Sequence, residues 1–224
     1  MIAVEAQKKD FVGQFAHGGR DYQPKGQPER VQTHDVPDKP LGKSWPSGGS
    51  DPTPKRGGVR VGSDHDTAQC AVESIRRWWW HMGKVSYPQA HALLIPAAGG
   101  GSNASRKRLW TGELQQRADE IGGTLDVRHF PPGTRKWNKS AHRLFCHITE
   151  NWRGRPVISP AVVVTLIGHT TTTTGLTMQA AVDKHPSPTG MKGSHEAMQR
   201  LHLSPAKFHG KDWNYAIKPR PQRQ

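Results

Sequence analysis

The stretch Leu93–Asn103, which reads LLIPAAGGGSN, decides how the rest of the chain is interpreted. Its first three residues are an apolar run typical of a buried strand. Three glycines at 99–101 follow, and then Ser102 and Asn103, residue types common at helix N-caps. A strand that ends in a glycine turn before a helix is typical of α/β proteins, whose ligands gather at the carboxyl ends of strands. Ala98 occupies the strand end, where a charged residue would be expected.

The composition predicts a nucleic-acid partner. The chain has 224 residues, 32 Lys+Arg against 18 Asp+Glu, and a formal net charge of +14. A chain this basic most often meets nucleic acid; an anionic membrane surface is the lesser alternative, and a merely solvated basic surface is the third. No apolar run is long enough to span a membrane. We therefore expect an intracellular protein.

The cysteines and histidines do not favour a metal site or a disulfide framework. Cys70 and Cys146 both lie in helix-type apolar patterns and are predicted to be buried free thiols. The 13 histidines are not accompanied by cysteine pairs, so zinc is not indicated.

The order of predicted elements indicates the fold class. Strands are predicted at residues 2–4, 11–15, 59–61, 93–95 and 124–130, and helices after residue 66, near residue 103, near residue 137 and at 161–167. Three strands, a helix, a strand, a helix, a strand and a helix are the order of the ribonuclease-H-like fold. This α/β fold has a mixed five-stranded sheet with helices on both faces.

The same sequence patterns predict how the chain is divided into a domain, an insertion and an extension. Residues 1–177 form the α/β domain, in which 16–58 is an irregular insertion rich in Gly and Pro. Residues 178–224 are predicted to be a polar C-terminal extension that docks only in part.

Five stretches resemble a known family more specifically than topology does. They read IAVEAQKKDFVGQF, VGSDHDTAQCAVESIRRWW, LLIPAAGGGSN, RHFPPGTRKWNKSAHRLF and DWNYAIKP. Together, over residues 2 to 219, they resemble the DDE transposase domain of the Rhodopirellula-type bacterial insertion sequences. The resemblance implies a DNA-binding phosphoryl transferase of the bacterial cytoplasm, associated with the nucleoid. It also implies that two Mg²⁺ ions, held by three carboxylates, release DNA 3′ ends and transfer them into target DNA.

The three acid positions that the resemblance implies are all altered in this chain. They correspond to Glu5, Ala98 and Ala141, where the family pattern has Asp, Asp and Glu. Glu5 is the one residue of the three that could still bind a metal ion, so we expect Mg²⁺ binding to be weak or lost. Decay of the copy, inactivation and reuse of the fold for binding all remain open.

The resemblance also raises a question about DNA recognition. Transposases usually carry a helix-turn-helix region before the catalytic domain, and this sequence begins at the first catalytic strand. We expect that region to be absent, so that the chain is a fragment or another protein recognises the DNA sequence. A second copy of the chain, or an intact transposase copy, is a further expected partner.

Exposed cations and one aromatic residue are the predicted DNA contacts. They are Arg76, Arg106, Lys107, Arg108, Lys136, Trp137, Lys139 and Arg143. A solvated helix face is the alternative interpretation for those around residue 137. Asp64 and Asp66 could replace the missing metal ligands, although Asp66 is better explained as a helix cap. Two hypotheses follow: a transposase catalytic domain with degraded chemistry, or a non-catalytic DNA-binding or dimerising module derived from one.

Overall fold

The structure, a computed structural model, describes residues 1–6, 10–15, 18–32, 43–53, 55–62, 65–131, 133–185, 188–206 and 213–221. The strands are β1 (Ala3–Ala6), β2 (Asp10–Phe11), β3 (Lys43–Asp51), β4 (Arg56–Gly62), β5 (Ala92–Ala97), β6 (Thr124–His129), β7 (Thr177–Asp183), β8 (Leu203–Pro205) and β9 (Asn214–Ile217). The helices are α1 (Ala68–Trp78), α2 (Lys84–Ser86), α3 (Arg108–Ile121), α4 (Lys139–Trp152), α5 (Pro160–Gly168) and α6 (His195–Gln199). A π-helical turn, Trp79–Gly83, continues α1, and 3₁₀ turns span Gly101–Asn103 and Arg135–Trp137.

The strands form one mixed sheet in the order β7-β4-β3-β1-β5-β6-β9-β8, with β2 paired to β3. Strands β1, β5 and β6 are parallel to one another, and β3 lies antiparallel between β1 and β4. β7 is parallel to β4, and β8 runs in the direction of β6 because β9 is antiparallel to both, so six of the eight described strands in this order share one direction. The mixed α/β class is therefore confirmed, whereas the five-stranded count is not, because the sheet is larger.

The strand β3, which lies next to β1, was not predicted. It pairs with β1 along the length of β1 and lies inside the stretch 16–58 predicted to be irregular, whereas the strand predicted at 11–15 is limited to β2 (Asp10–Phe11). Its sequence, KSWPSGGSD, lacks the apolar alternation that predicts a strand. The glycines are needed for close packing, since a Cβ at Gly48 would lie 2.5 Å from the Gly58 carbonyl and one at Gly49 would lie 2.4 Å from the Ile2 side chain.

The C-terminal part of the chain contributes to the sheet at both edges. β7 extends the edge beyond β4, and β9 inserts between β6 and β8. We expected a polar extension because β8 and β9 have only three and four residues, and because the pairing of all three strands is set by distant parts of the chain. For example, Tyr215 of β9 pairs with Val127 of β6.

Helices cover both faces of the sheet and divide the core in two. One face is covered by α1 and α3, whose buried residues pack with those of β1, β5, β6 and β9. The other is covered by α4 and α5, which pack on β4 and β7. The predicted stripes are confirmed: α3 buries Trp110, Leu114 and Ala118, and α4 buries Leu144, Ile148 and Trp152.

Two local predictions are wrong. The N-cap of α1 is Thr67 and not Asp66, because the Thr67 hydroxyl accepts from the Cys70 backbone N–H at 3.3 Å. Cys70 is buried as expected, but Cys146 is exposed because it faces away from the stripe that α4 buries. Among the described residues, no helix has the length and apolar character needed to cross a membrane.

Candidate site at the carboxyl ends of strands β1 and β5

The structure places the first two predicted acid positions on neighbouring strands. Val4 of β1 pairs with Ala97 of β5 in parallel register. Glu5 and Ala98 each follow directly, so their backbones lie side by side at the carboxyl ends of the two strands. The side chain of Asn103, which we expected to cap a helix, instead donates to the Val4 carbonyl at 3.4 Å and ties the glycine turn to β1.

The third position belongs to the first turn of α4, which approaches the sheet next to β1. The Ser50 hydroxyl of β3 donates to the Ser140 carbonyl at 3.4 Å. Ser50 pairs with Ala3, and Glu5 pairs with Gly48 two residues along the same antiparallel ladder. Directly opposite residues share a sheet face. Residue 140 is therefore hydrogen-bonded to the sheet face on which position 5 lies, and position 141 is the next residue of α4. The side chains of residues 5 and 141 lie outside the described part of the chain.

The described residues do not fit a two-metal site. Mg²⁺ needs oxygen ligands, and the methyl group of Ala98 at the strand end supplies none. Within the described part of the chain, no group of three or more His, Cys, Asp or Glu side chains could hold a metal ion. Of the carboxylates suggested as replacements, Asp64 lies outside the described residues, and Asp66 belongs to no such group.

A buried hydrogen-bonded network holds the strand end from behind. The His129 Nδ1 atom lies 3.2 Å from the Ala98 carbonyl oxygen, and its Nε2 atom lies 3.3 Å from the Tyr215 hydroxyl. The Trp110 indole N–H donates to that hydroxyl at 2.9 Å. The Phe130 amide also donates to the Ala97 carbonyl at 2.9 Å. The backbone at position 98 is thus fixed by residues of β6, β9 and α3.

The donors of this network define one protonation state. A carbonyl oxygen can only accept, so Nδ1 of His129 carries the proton. Burial lowers the pKa of His129, although its bond to the Ala98 carbonyl acts in the opposite sense. The ring is then neutral, and Nε2 accepts from the Tyr215 hydroxyl. Burial raises the pKa of Tyr215, so that hydroxyl stays protonated.

Sequence reasoning missed His129 and Tyr215 as site residues. Both lie in the stretches that carry the family resemblance, RHFPPG and DWNYAIKP. The available signal was the alternation of β6, in which His129 follows Leu125 and Val127 on the buried face. A polar residue on a buried strand face needs a partner.

Two groups of predicted DNA contacts flank this edge of the sheet. Arg106 and Lys107 lie in the connection from β5 to α3, and Arg108 is the first residue of α3. Their side chains are exposed beside a surface cavity of about 600 Å³. Lys136, Trp137, Lys139 and Arg143 lie in the connection from β6 to α4 or on its first turns, and are also exposed. Both connections leave the carboxyl ends of parallel strands.

The second group extends into a smaller cavity of about 280 Å³. Lys139 and Arg143 line it from α4, and Lys55 lines it from the β3–β4 turn. The threonine run supplies the opposite wall, where Lys55 Nζ donates to the Thr174 carbonyl at 2.9 Å and Thr172 hydrogen-bonds with Thr174. No carboxylate within the described ranges forms an ion pair with Lys139 or Arg143.

Arg76 differs from the other predicted contacts. Its side chain forms ion pairs with Glu120 at 2.8 Å and with Glu73 at 3.5 Å. Since α1 starts at the edge of the sheet that carries the site, Arg76 in its last turn lies about 12 Å along the helix from that edge. Arg76 joins α1 to α3 and is remote from the cations around Ala98.

Comparison with known proteins identifies the family. The profile described as the Rhodopirellula transposase DDE domain matches residues 1–219. No curated protein and no solved structure matches the chain. The match covers nearly the whole sequence, and it agrees with the resemblance carried by the five stretches. The chain therefore belongs to the Rhodopirellula transposase DDE domain family.

Proposed function

We propose that this chain is a DNA-binding transposase domain whose own strand-transfer chemistry is lost. The observation that carries the proposal is Ala98, an apolar residue at the end of a strand in a family named for three acids. Within the mixed sheet, we assign β4-β3-β1-β5-β6 as the ribonuclease-H-like core of a domain spanning residues 1–177, with 178–224 as an addition. β3 and the start of β4 belong to this core, although they lie inside the stretch 16–58 that the sequence predicts to be an insertion.

The loss of chemistry follows from electrostatics. Phosphoryl transfer spreads negative charge over the phosphate oxygens, and two bound cations must neutralise it. With Ala98 and Ala141 in place of two acids, Glu5 is the one acid of the three positions left to bind these cations. Losing each metal ligand costs on the order of 10³-fold in rate, since each ion contributes several kcal/mol. We expect no DNA cleavage or strand transfer.

DNA binding rests on the two exposed cationic connections. Backbone phosphates are held by charge without regard to sequence. Lys136, Lys139 and Arg143 lie on one side of the strand ends, and Arg106 and Lys107 lie on the other. A duplex laid across this edge would contact both groups. An intact transposase copy would supply the missing acids and the DNA ends in trans. A second copy of this chain carries the same alanines at 98 and 141 and would add only DNA-binding surface.

The chemical half of the proposal is tested by restoring the acids. Wild-type protein and the triple variant Glu5→Asp, Ala98→Asp, Ala141→Glu are titrated with Mn²⁺ by calorimetry and assayed for nicking of supercoiled DNA. We expect metal binding only in the triple variant. Nicking by the wild type that requires Mn²⁺ and disappears in Glu5→Ala would contradict the proposal, and would indicate a rearranged site.

The binding half is tested by salt dependence. The wild type should bind duplex DNA without sequence preference, and the logarithm of its affinity should fall steeply with the logarithm of salt concentration. Replacing Lys136, Lys139 and Arg143 by Ala should flatten that slope by about 3 × 0.9. The control replaces Lys25, Arg30 and Lys218. All three are exposed, and Lys218 follows β9, whose carboxyl end lies at the opposite edge of the sheet. Equal effects of the two triple variants would show that net charge alone is responsible. A wild type that does not bind DNA would favour the dimerising alternative.

A further inference from the structure

Among the described tryptophans, Trp80 and Trp137 are the two exposed ones, and their surroundings differ. The Trp80 ring is occupied: its indole N–H donates to Glu120 at 3.0 Å, and Lys84 Nζ lies 4.5 Å from its ring centroid. Trp137 is 54% exposed, and within the described part of the chain no hydrogen bond or ring contact engages its indole. An exposed indole without a partner of its own is available to a ligand.

The Trp137 ring is held on a constrained turn. The Trp137 amide donates to the Thr134 carbonyl at 2.8 Å. The Thr134 hydroxyl donates to the Pro131 carbonyl at 2.6 Å, and its amide donates to the same oxygen at 3.2 Å. The next residue, Asn138, is buried, and α4 begins directly after it. Because the backbone is fixed on both sides, little conformational freedom is lost when the ring binds a ligand.

The charges beside the ring indicate the class of ligand. Lys136 and Lys139 are exposed on either side of Trp137, and Arg143 follows one helical turn after Lys139. No acidic residue lies between Arg128 and Arg143 in the sequence. An aromatic face between free cations suits a stacked base whose flanking phosphates meet the lysines. A protein partner or a lipid surface would not need this alternation of ring and charge.

We infer that Trp137 stacks on an unpaired nucleobase of DNA, with Lys136 and Lys139 bound to the flanking phosphates. The inference rests on the proposed DNA-binding function and specifies its substrate: single-stranded or locally opened DNA and not only intact duplex. Trp137 lies four residues before position 141, so the base is held beside the strand ends at which DNA would be processed. Every base has a π-face, so the stacking is independent of sequence.

The experiment compares three probes on the full-length chain: a 15-nucleotide oligothymidine, an abasic strand with the same phosphates, and a 15-base-pair duplex. Affinities are measured by fluorescence anisotropy, and stacking by quenching of tryptophan emission. Trp137→Ala should weaken oligothymidine binding by about 5- to 100-fold and remove most of the quenching. Its binding to the abasic strand and to duplex should stay within about twofold of wild type. Trp137→Phe should lose less affinity than Trp137→Ala.

Trp80→Phe is the matched control and should leave binding of all three probes unchanged. An equal loss on all three probes for Trp137→Ala would overturn the inference, because the ring would then act only by shaping the cationic surface. No loss on any probe would also overturn it. If the wild type binds the duplex and the abasic strand but Trp137→Ala does not change the affinity for any probe, the proposed function holds and this inference is wrong. If the wild type binds none of the probes, both fail.

Discussion

The strands β7 and β5 end at the same edge of the sheet, but their ends differ in whether an acidic side chain takes part in the packing. At the end of β7, the carboxylate of Asp183 is buried and receives hydrogen bonds from Arg60 and from the backbone of His185, while Arg77 lies 3.3 Å away. At the end of β5, Ala98 has a methyl group, yet its backbone is held by a complete network. The carboxylate of Asp183 is part of the packing of the fold, whereas an acid at position 98 would serve only catalysis. The fold can therefore persist without an acid at position 98.

The largest effect is expected where the acid is part of the packing. Asp183→Asn leaves the buried Arg60 guanidinium without its counter-charge, and breaking a buried ion pair costs about 3–5 kcal/mol. Urea unfolding at pH 7 measures this loss. The control is Asp126→Asn, whose ion pair with Arg128 is partly exposed and contributes about 1 kcal/mol or less. Equal losses in both variants would remove the distinction between the two strand ends.

The same ion pair predicts a pH dependence. Burial acts to raise the pKa of Asp183, but hydrogen bonds from Arg60 and His185 outweigh it and hold the pKa well below its usual range. The stabilisation is therefore complete above the unfolded pKa of about 3.9 and is lost as the pH falls toward the folded value. Asp183→Asn should unfold with a weaker dependence on pH below about 4 than the wild type.

The second prediction tests whether the network behind Ala98 is structural. Tyr215→Phe removes a hydroxyl that donates to His129 and accepts from Trp110, and leaves two buried polar atoms without partners. An unpaired buried donor such as the Trp110 indole N–H costs about 1–3 kcal/mol, and the longer 3.3 Å contact with His129 adds little. A loss of about 1–3 kcal/mol is therefore expected on urea unfolding. The control is Tyr22→Phe, because Tyr22 is fully exposed. An unchanged stability would mean that the strand end is held by its backbone pairing alone.

The third prediction concerns the neutral ring of His129. Burial lowers its pKa in the folded protein, so below the unfolded pKa of about 6.5 the unfolded chain binds more protons at this residue. Its contribution to stability is complete above that pH and declines as the pH falls toward the folded value. The stability lost between pH 7 and pH 5 should be smaller in His129→Asn than in wild type. A larger loss in the variant would indicate a protonated His129.

The difference between the two strand ends also explains what could be predicted from the sequence. β5 with its glycine turn, and the stripes of α3 and α4, follow from local periodicity, so the position of Ala98 could be predicted. The network could not, since His129 and Tyr215 are 86 residues apart and meet only through the pairing of β6 with β9. β3 was missed because Gly48 and Gly49, which close packing requires, predict a loop when taken alone.

The smallest expected effect comes from an acid–arginine pair nearer the surface. Arg220 donates to Asp119 through its backbone N–H at 2.7 Å and through its guanidinium, which fastens the chain after β9 to α3. Burial acts to raise the pKa of Asp119, but the bonds from Arg220 and Gln115 outweigh it and lower the pKa. Arg220 is 44% exposed, so water and salt screen the pair.

Asp119→Asn should therefore cost at most about 1 kcal/mol, and the cost should shrink in high salt, unlike that of Asp183→Asn. Glu150→Gln, in a pair whose partners are both more than half exposed, should cost less still. Unfolding in urea at low and high salt orders the three variants. If exposure determines how strongly the fold depends on an acid, the losses fall from Asp183 to Asp119 to Glu150. Any other order would mean that the contrast between Asp183 and Ala98 reflects something other than burial.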